Sequence, residues 1–479
     1  MLGIAGCPVA KLASFLVLAG IACLAKADSI DDYLRSEMQK RQIPEIAFAI
    51  VKNGQIVRSG ASGLSDIREK RLAKIDDLFE IGSLTKQFTS MAIMILVEAG
   101  RINLDDSISK YLSDAPPSWS PIKVRNLLNQ DSGLPEYVSL PGLGLLDKFT
   151  RAQFIENVGK LPLDFPPEQA WAYSNTNYAL LGWLIEDLIK EPYTKFVQEN
   201  ILRPLGMTHT IFSEGTGPVP GEARGYVIRR RALMPTPKGA ASIKADGGLI
   251  SNIPDLVKWD AALNDLRLLN RKSYQTIWTR TKLTSGRTHA YGMGWYLNQP
   301  GTKGYMGHSG NSAGYSAGIS RFPGMKLSVI LLSNLYPLPA EAMTKHIAEL
   351  FDPTLSNPPF APVPDPDPKL TEKIKLVIAA LAEGKPDEAL MEPEMVLPMK
   401  TGRVKSAARS TWNQLKTVDS LTFGGSRVQG TDTVLVYRIS SGTQSFIASF
   451  VWTPQNKVAQ VSIYAEVVTP PAKPADGKG

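Results

Sequence analysis

The stretch Phe79-Glu80-Ile81-Gly82-Ser83-Leu84-Thr85-Lys86-Gln87-Phe88 sets a serine three positions before a lysine at the mouth of an apolar helix. Behind it Phe88, Met91, Ile93, Met94, Leu96 and Val97 recur at helical spacing and Gly100 supplies a stop, so the pattern predicts an amphipathic helix beginning near Ser83. Residues three apart share a helix face, which brings the Lys86 amine within reach of the Ser83 hydroxyl. The helix N-terminus favours negative charge developing nearby. A buried lysine loses its proton readily and can serve as a base. Ser83 is therefore read as a nucleophile. A serine before a helix is also a common N-cap, and a second Ser-x-x-Lys pair stands at Ser107 and Lys110, so the spacing alone is a weak signal.

Length and composition frame this reading. The 479 residues are 43% hydrophobic and 20% charged, which suits a globular chain of more than one domain and excludes a disordered or fibrous one. At the N-terminus Lys11 precedes an apolar run from Leu12 to Ala25, and Ala25-Lys26-Ala27 offers a small-x-small cleavage site before Asp28. Residues 1–27 read as a secretory signal peptide, the run being short for a membrane span. Lipid attachment through Cys23 is the other option, against which stands Gly20 three positions earlier. Both cysteines, Cys7 and Cys23, lie in this segment, so a chain beginning at Asp28 has no thiol to oxidise, in keeping with a secreted or periplasmic setting. Loss of Lys11 and Lys26 lowers the formal charge of +8 by two, to +6. The one basic run, Arg229-Arg230-Arg231, lacks interleaved aromatics and reads as a solvated loop, so nucleic-acid binding is not expected. Once the signal segment is removed, the chain is not expected to be an integral membrane protein.

Along the chain, a helix is expected over 30–40, then a hairpin of Glu45 to Val51 and Gln55 to Ser59, because Asn53-Gly54 supplies the positive φ angles of its turn. Helical segments dominate from Ser83 to about Ala290: 123–129, 151–158, 178–189, 193–201, 253–264 and 273–279. Strands return at 304–308, 314–322 and 326–332, followed by a closing helix over 340–351. The sheet is thus expected to form from both ends of the domain, with a mostly helical region inserted. The Pro-rich run 353–368 reads as a stiff connector. Beyond it come helices over 369–381 and 403–415, four strands (420–427, 433–439, 443–452 and 457–464) and a polar tail. The expected domains are a signal peptide (1–27), a hydrolase domain (28–352), a linker (353–368), an α+β accessory domain (369–466) and a disordered tail (467–479).

Two further stretches complete a constellation with Ser83. Tyr173-Ser174-Asn175 follows an aromatic loop, Phe165-Pro166-Pro167 to Trp171, and places a phenol and an amide where they can face a cleft; a tyrosine near an ammonium has a depressed pKa and can act as a base. Gly307-His308-Ser309-Gly310-Asn311 closes a strand, its small residues allowing close approach of backbone N–H groups to an oxyanion.

In this order the motifs Ser83-Leu84-Thr85-Lys86, Tyr173-Ser174-Asn175 and His308-Ser309-Gly310 resemble those of the penicillin-recognising serine hydrolases, the group of class C β-lactamases, serine D-Ala-D-Ala carboxypeptidases and related esterases. The resemblance covers roughly residues 30–350, through Leu127 to Pro135, Pro204-Leu205-Gly206-Met207, Gly247 to Ser251 and Tyr291 to Trp295. It implies an α/β, β-lactamase-like fold, an antiparallel sheet flanked by helices with an inserted helical region, joined here to a small C-terminal α+β domain that looks loosely NTF2-like. It also implies that Ser83 forms an acyl-enzyme, that Lys86 and Tyr173 share proton transfer, and that Asn175 positions the substrate amide. His308, Ser309 and Gly310 would line the pocket, with the N–H groups of Ser83 and Asn311 forming an oxyanion hole. Class C β-lactamases carry lysine where His308 stands, so the histidine form looks more like the peptidase and esterase branches.

Three decoys compete. Lys400-Thr401-Gly402 lies beyond the connector, and Tyr296-Leu297-Asn298 lacks the flanking loop and helix. Gly310-Asn311-Ser312-Ala313-Gly314 matches a nucleophile elbow but is followed by strand character rather than a helix. His209, His289 and His346 have no partner at metal-ligand spacing, so no metal or other cofactor is expected. The expected function is that of an exported serine hydrolase cleaving an amide or ester bond, of the β-lactamase or D-Ala-D-Ala carboxypeptidase type, on a small molecule or a peptide such as one derived from peptidoglycan. The alternatives are a carboxylesterase or lactonase using the same serine, or a non-hydrolytic peptidoglycan-binding protein.

Overall fold

Asn53 and Gly54 take φ of +53° and +76° and close the first hairpin as their residue types require. In the computed structural model, which describes residues 29–214, 217, 219–237, 243–297, 304–356, 359–400, 415 and 417–465, that hairpin is the nucleus of a larger sheet. Its strands in chain order are β1 (Glu45–Lys52), β2 (Gln55–Asp66), β3 (Arg71–Leu72), β4 (Tyr296–Leu297), β5 (Met306–Ser312), β6 (Tyr315–Phe322) and β7 (Leu327–Ser333). They lie in the order β4-β5-β6-β7-β1-β2-β3, every neighbour antiparallel. The β7–β1 contact, Ile46 opposite Ser333 through Lys52 opposite Leu327, joins the two ends of the 28–352 region as the sequence predicts. The signal-peptide reading of residues 1–27, the helix expected over 403–415 except for Leu415, and the tail 467–479 lie outside the described residues.

The sheet is buried on both faces because the middles of β1 and β7, residues 46–51 and 329–332, are continuously apolar. Ala47, Ala49, Ile330 and Leu332 point into one core, Ile46, Phe48, Ile50, Val329 and Leu331 into the other. The second core is covered by α1 (residues 29–41) and, from the far end of the region, by the helix Ala340–Phe351. The first is covered by the inserted helices, chiefly α2 (Thr85–Glu98), α3 (Asn175–Ile189) and α4 (Ile253–Asn264). α2 is buried almost all round, as a helix through the middle of a large core must be. It ends where Gly100 (φ +67°) lets Arg101 N–H reach Leu96 O (2.9 Å) and its own N–H reach Val97 O (3.0 Å), satisfying carbonyls the helix leaves open. α4 is tied to the sheet by a buried pair: Arg321 Nε donates to Asp260 Oδ1 at 2.6 Å, and Ser328 Oγ donates to the same oxygen at 2.7 Å.

Two local expectations change. The strand expected over 304–308 runs on to Ser312, because the two-residue turn Ala313-Gly314 (φ +96° at Gly314) pairs Ser312 directly with Tyr315. Phe79–Glu80, read as the approach to a helix, is a short strand against Leu249–Ser251, whose other edge pairs with Ile211–Phe212. Ile81 N–H then donates to Leu249 O at 3.0 Å, so the residues before Ser83 are held by a small sheet of their own.

The C-terminal domain has its own core. A meander of β8 (Ser420–Gln429), β9 (Asp432–Ser441), β10 (Gln444–Trp452) and β11 (Val458–Ala465) packs on the helix Pro368–Glu383, burying Ile374, Val377, Ile378, Tyr437 and Phe450. The Pro-rich connector is docked along this domain: Val363 N–H donates to Phe423 O at 3.0 Å, and the Phe360 ring lies 4.4 Å from the Arg438 guanidinium. Among the described residues no helix is long and apolar enough to cross a membrane.

Candidate active site

Ser83 sits in a single 3-10 turn, Gly82–Leu84, immediately before α2. Gly82 has φ of +50°, and a β-carbon on it would lie 2.5–2.7 Å from the backbone of Asn311, so only glycine lets the serine turn lie against β5. Gly310 is constrained in the same way, a β-carbon there falling 1.9 Å from Ile81 O. Together they bring the backbone of Asn311 against the residue preceding Ser83, and Ser83 and Asn311 both line a cavity of about 570 Å³.

One turn beyond Ser83, at the start of α2, Lys86 is wholly buried and its Nζ has three oxygens in reach: Ser83 Oγ at 3.1 Å, Asn175 Oδ1 at 2.6 Å and Asp246 O at 2.7 Å. Two of these are carbonyl oxygens, which only accept. A neutral amine has two protons and a lone pair; with both protons given to the carbonyls, the lone pair faces the Ser83 hydroxyl. Burial pushes Lys86 down to about 8, opposed by the nearby Asp246 and Glu136 carboxylates. The neutral form is thus accessible near neutrality and correctly aimed for a base.

The Asn175 amide is oriented by a residue that sequence reasoning missed. Glu136 accepts from Asn175 N–H (2.8 Å) and Nδ2 (3.1 Å) through one oxygen and from Val138 N–H (3.0 Å) through the other, which turns Asn175 Oδ1 toward Lys86. Asp246 supplies its backbone carbonyl to Lys86 and accepts from Tyr137 OH at 2.7 Å. Desolvation raises the pKa of both carboxyls. Glu136 follows directly on the quoted Leu134-Pro135, a signal that was present but unread.

Tyr173 lines the cavity together with Ser83, and the Lys86 Nζ lies 5.0 Å from its ring centroid. The expectation of a depressed tyrosine pKa is corrected here: burial pushes Tyr173 well above the usual phenol range, and only its approach to Ser83 lowers it. It is a neutral phenol, able to pass a proton rather than to start as a base. His308 also departs from expectation. It lies behind Tyr173, off the cavity wall, with Nδ1 2.6 Å from Ser309 O and Nε2 3.2 Å from Tyr291 OH. A ring that donates from Nδ1 to a carbonyl accepts at Nε2, and burial pushes His308 down to about 3, so it carries no charge at neutral pH. Ser309 and Gly310 likewise do not line the cavity; Gly310 serves through its missing side chain.

Five carboxylates, Glu80, Glu136, Asp147, Asp164 and Asp246, stand on the cavity wall, and no lysine or arginine does among the described residues. Leu134, Leu145, Phe149, Ile243 and Tyr336 supply apolar surface. Two competing readings fall away structurally. Ser107 caps a surface turn, its Oγ accepting from Ser109 N–H and donating to Ser120 O, while Lys110 pairs with Asp106. Ser312 hydrogen-bonds Glu80, with a strand and not a helix after it. Thr401, Gly402 and Asn298 of the other two lie outside the described residues. No group of three or more His, Cys, Asp or Glu that could hold a metal ion occurs among the described residues.

A family model described as Beta-lactamase matches residues 30–351, which spans both ends of the sheet and every residue of this site. The chain belongs to the Beta-lactamase family. Among relatives of this family, Protein flp of Staphylococcus aureus (strain MRSA252) is 28% identical over 332 residues, 66% of this chain and 65% of that protein. Penicillin-binding protein 4* of Bacillus subtilis (strain 168) is 30% identical over 302 residues, 59% of this chain and 66% of that protein. The chain therefore spans just under two thirds of these relatives' length. Among solved structures, a D-amino acid amidase from Ochrobactrum anthropi SV3 complexed with D-phenylalanine is 27% identical, with a TM-score of 0.58 over 70% of this chain and 98% of that one. The octameric penicillin-binding protein homologue from Pyrococcus abyssi shares the fold over 92% of this chain and 98% of that one, at 21% identity and a TM-score of 0.62. The protein has the β-lactamase-like fold with an additional C-terminal sheet domain.

Proposed function

We propose that this protein hydrolyses an amide or ester through an acyl-enzyme at Ser83, acting on small substrates that present a free amino group beside the scissile carbonyl. The observation that carries the first half is the set of three oxygens around Lys86 Nζ, two of them acceptors only. Neutral Lys86 takes the Ser83 Oγ proton as Oγ attacks the carbonyl carbon, and the N–H groups of Ser83 and Asn311 meet the developing oxyanion. The proton returns to the leaving amine or alcohol by way of the Tyr173 phenol. Water then attacks the acyl-enzyme with the same groups in reversed roles. Glu80, Asp147 and Asp164 on the wall support the second half, since acidic side chains favour a cation and oppose a terminal carboxylate, while the apolar wall suits a hydrophobic side chain. We place the activity outside the cytoplasm, on the strength of the apolar run in residues 1–27.

Labelling with a fluorophosphonate and mapping by mass spectrometry tests the nucleophile: the expected adduct is on Ser83, on a mature chain beginning at Asp28, and Ser83→Ala abolishes it. Hydrolysis of an amino acid amide is expected to exceed that of its N-acetylated form and of a peptide ending in D-Ala-D-Ala. An adduct on Ser312, or a preference for the carboxylate-ended peptide, contradicts the reading.

A further inference from the structure

The C-terminal domain touches the hydrolase region at a hairpin that leads into the site. Thr281–Lys282 pairs with Thr288–His289, Thr288 opposite Lys282, and Leu283 N–H closes the turn on Arg287 O at 2.9 Å. The tip enters a group of three carboxylates from the C-terminal domain. Arg287 Nε donates to Asp432 Oδ2 at 3.0 Å and NH1 to Glu394 Oε1 at 3.1 Å, while NH2 lies 3.8 Å from Glu392 Oε1. Ser285 Oγ adds a contact to Glu394 at 3.4 Å. The acid side chains are only 8–11% exposed, and Thr453 Oγ1 donates to Glu392 at 2.7 Å, so the group is held in place. Three carboxylates at that burial repel one another unless a cation stands between them. An ordinary surface pair in the same domain, Lys400 with Glu388, is 51% and 70% exposed.

From the tip the hairpin runs straight to the catalytic tyrosine. His289 stacks on Trp171 at 3.9 Å with the rings 8° from parallel, and Trp171 Nε1 donates to Asn129 O at 3.0 Å. Two residues beyond each, Tyr291 stands edge-on to Tyr173 at 6.3 Å and bonds His308. Thr281 Oγ1 bonds Tyr291 O at 2.9 Å, and Thr284 N–H bonds Glu168 O at 2.9 Å, on the loop that carries Trp171 and Tyr173. Every link of this path is a packed ring or a hydrogen bond.

We propose that Arg287 is a positioning residue: by gripping it, the C-terminal domain fixes the hairpin and thereby holds Tyr173 against Ser83. This rests on Tyr173 serving the Ser83 chemistry proposed above. The role of the C-terminal domain is then to complete the hydrolase site rather than to bind a ligand of its own.

The test uses the full chain with Arg287→Ala, Arg287→Lys and, as control, Lys400→Ala. Hydrogen exchange by mass spectrometry reads segments 170–175 and 281–291, with 83–98 as the check for global unfolding. A p-nitrophenyl ester reads kcat and KM. In Arg287→Ala, exchange is expected to accelerate in both segments and not in 83–98, with kcat falling about tenfold to a hundredfold, the cost of a small misplacement, and KM within about twofold. Lys at position 287 restores part of kcat by keeping the charge, and Lys400→Ala changes nothing. Unchanged exchange in 170–175, or accelerated exchange with unchanged kcat, overturns the proposal. If wild type forms no adduct at Ser83, the hydrolase reading falls separately, and exchange in 170–175 still decides whether the grip reaches Tyr173.

Discussion

A residue's neighbours in space decide what its type can do, and Glu45 shows how far that departs from its type. It opens β1 with a side chain wholly out of solvent, and burial, with the Asp77 carboxylate beside it, pushes its pKa up to about 9. The folded chain holds this proton at neutral pH and the unfolded chain does not. The contribution to stability is complete below about pH 4.5 and is lost as pH rises through about 9. Glu45→Gln, neutral at every pH, is expected to raise the melting temperature by a few degrees at about pH 8 and to leave it nearly unchanged at about pH 4; thermal unfolding followed by circular dichroism at the two pH values checks this. The same lesson applies at Tyr173. Its identity and its place before α3 were legible in Tyr173-Ser174-Asn175, but its charge state was not, because the burial that sets it comes from chain segments far away in sequence. His308 is the converse case. The absence of a permanent cation at that position was legible, and burial makes the absence complete by pushing its pKa to about 3.

At the scale of elements, hydrophobic period and turn chemistry carried most of the fold. The Asn53-Gly54 hairpin, α4 at Ile253–Asn264 and the closing helix Ala340–Phe351 lie where periodicity puts them. The misses have two causes. Phe79–Glu80, Leu249–Ser251 and Ile211–Phe212 are too short to show a period, and each exists only because the others pair with it. β5 outran its prediction because Ala313-Gly314 was not read as a turn. The function of that strand lies in its fit to the serine turn. Gly310→Ala must push Ile81 O away by more than an ångström, since the new methyl would otherwise lie 1.9 Å from it. A displacement of that size at the nucleophile is expected to slow fluorophosphonate labelling of Ser83 about a hundredfold. Gly324→Ala, in open space, is expected to leave the rate unchanged. Stopped-flow or gel-based labelling kinetics distinguish the two.

At the scale of the whole molecule, the site is a meeting of distant parts of the chain. Asn175 and Asp246 reach Lys86 from 89 and 160 residues away, and Glu136 holds Asn175 from another loop again. The Ser83 and Lys86 pair was legible because it is local; the burial that lowers Lys86 and the oxygens around its Nζ were not, because only the folded chain assembles them. The molecule is also divided electrically, with an acid-lined cavity in a chain whose formal charge is +8. The account turns on Lys86 acting as a neutral base toward Ser83. Its most direct test is the rate of Ser83 labelling by a fluorophosphonate from about pH 6 to about pH 10. Burial holds Lys86 at about 8 and His308 at about 3, so the rate should climb about tenfold per pH unit to a plateau, with a single midpoint near 8. A profile flat across that range, or a midpoint near the ordinary histidine value of about 6.5, would contradict it.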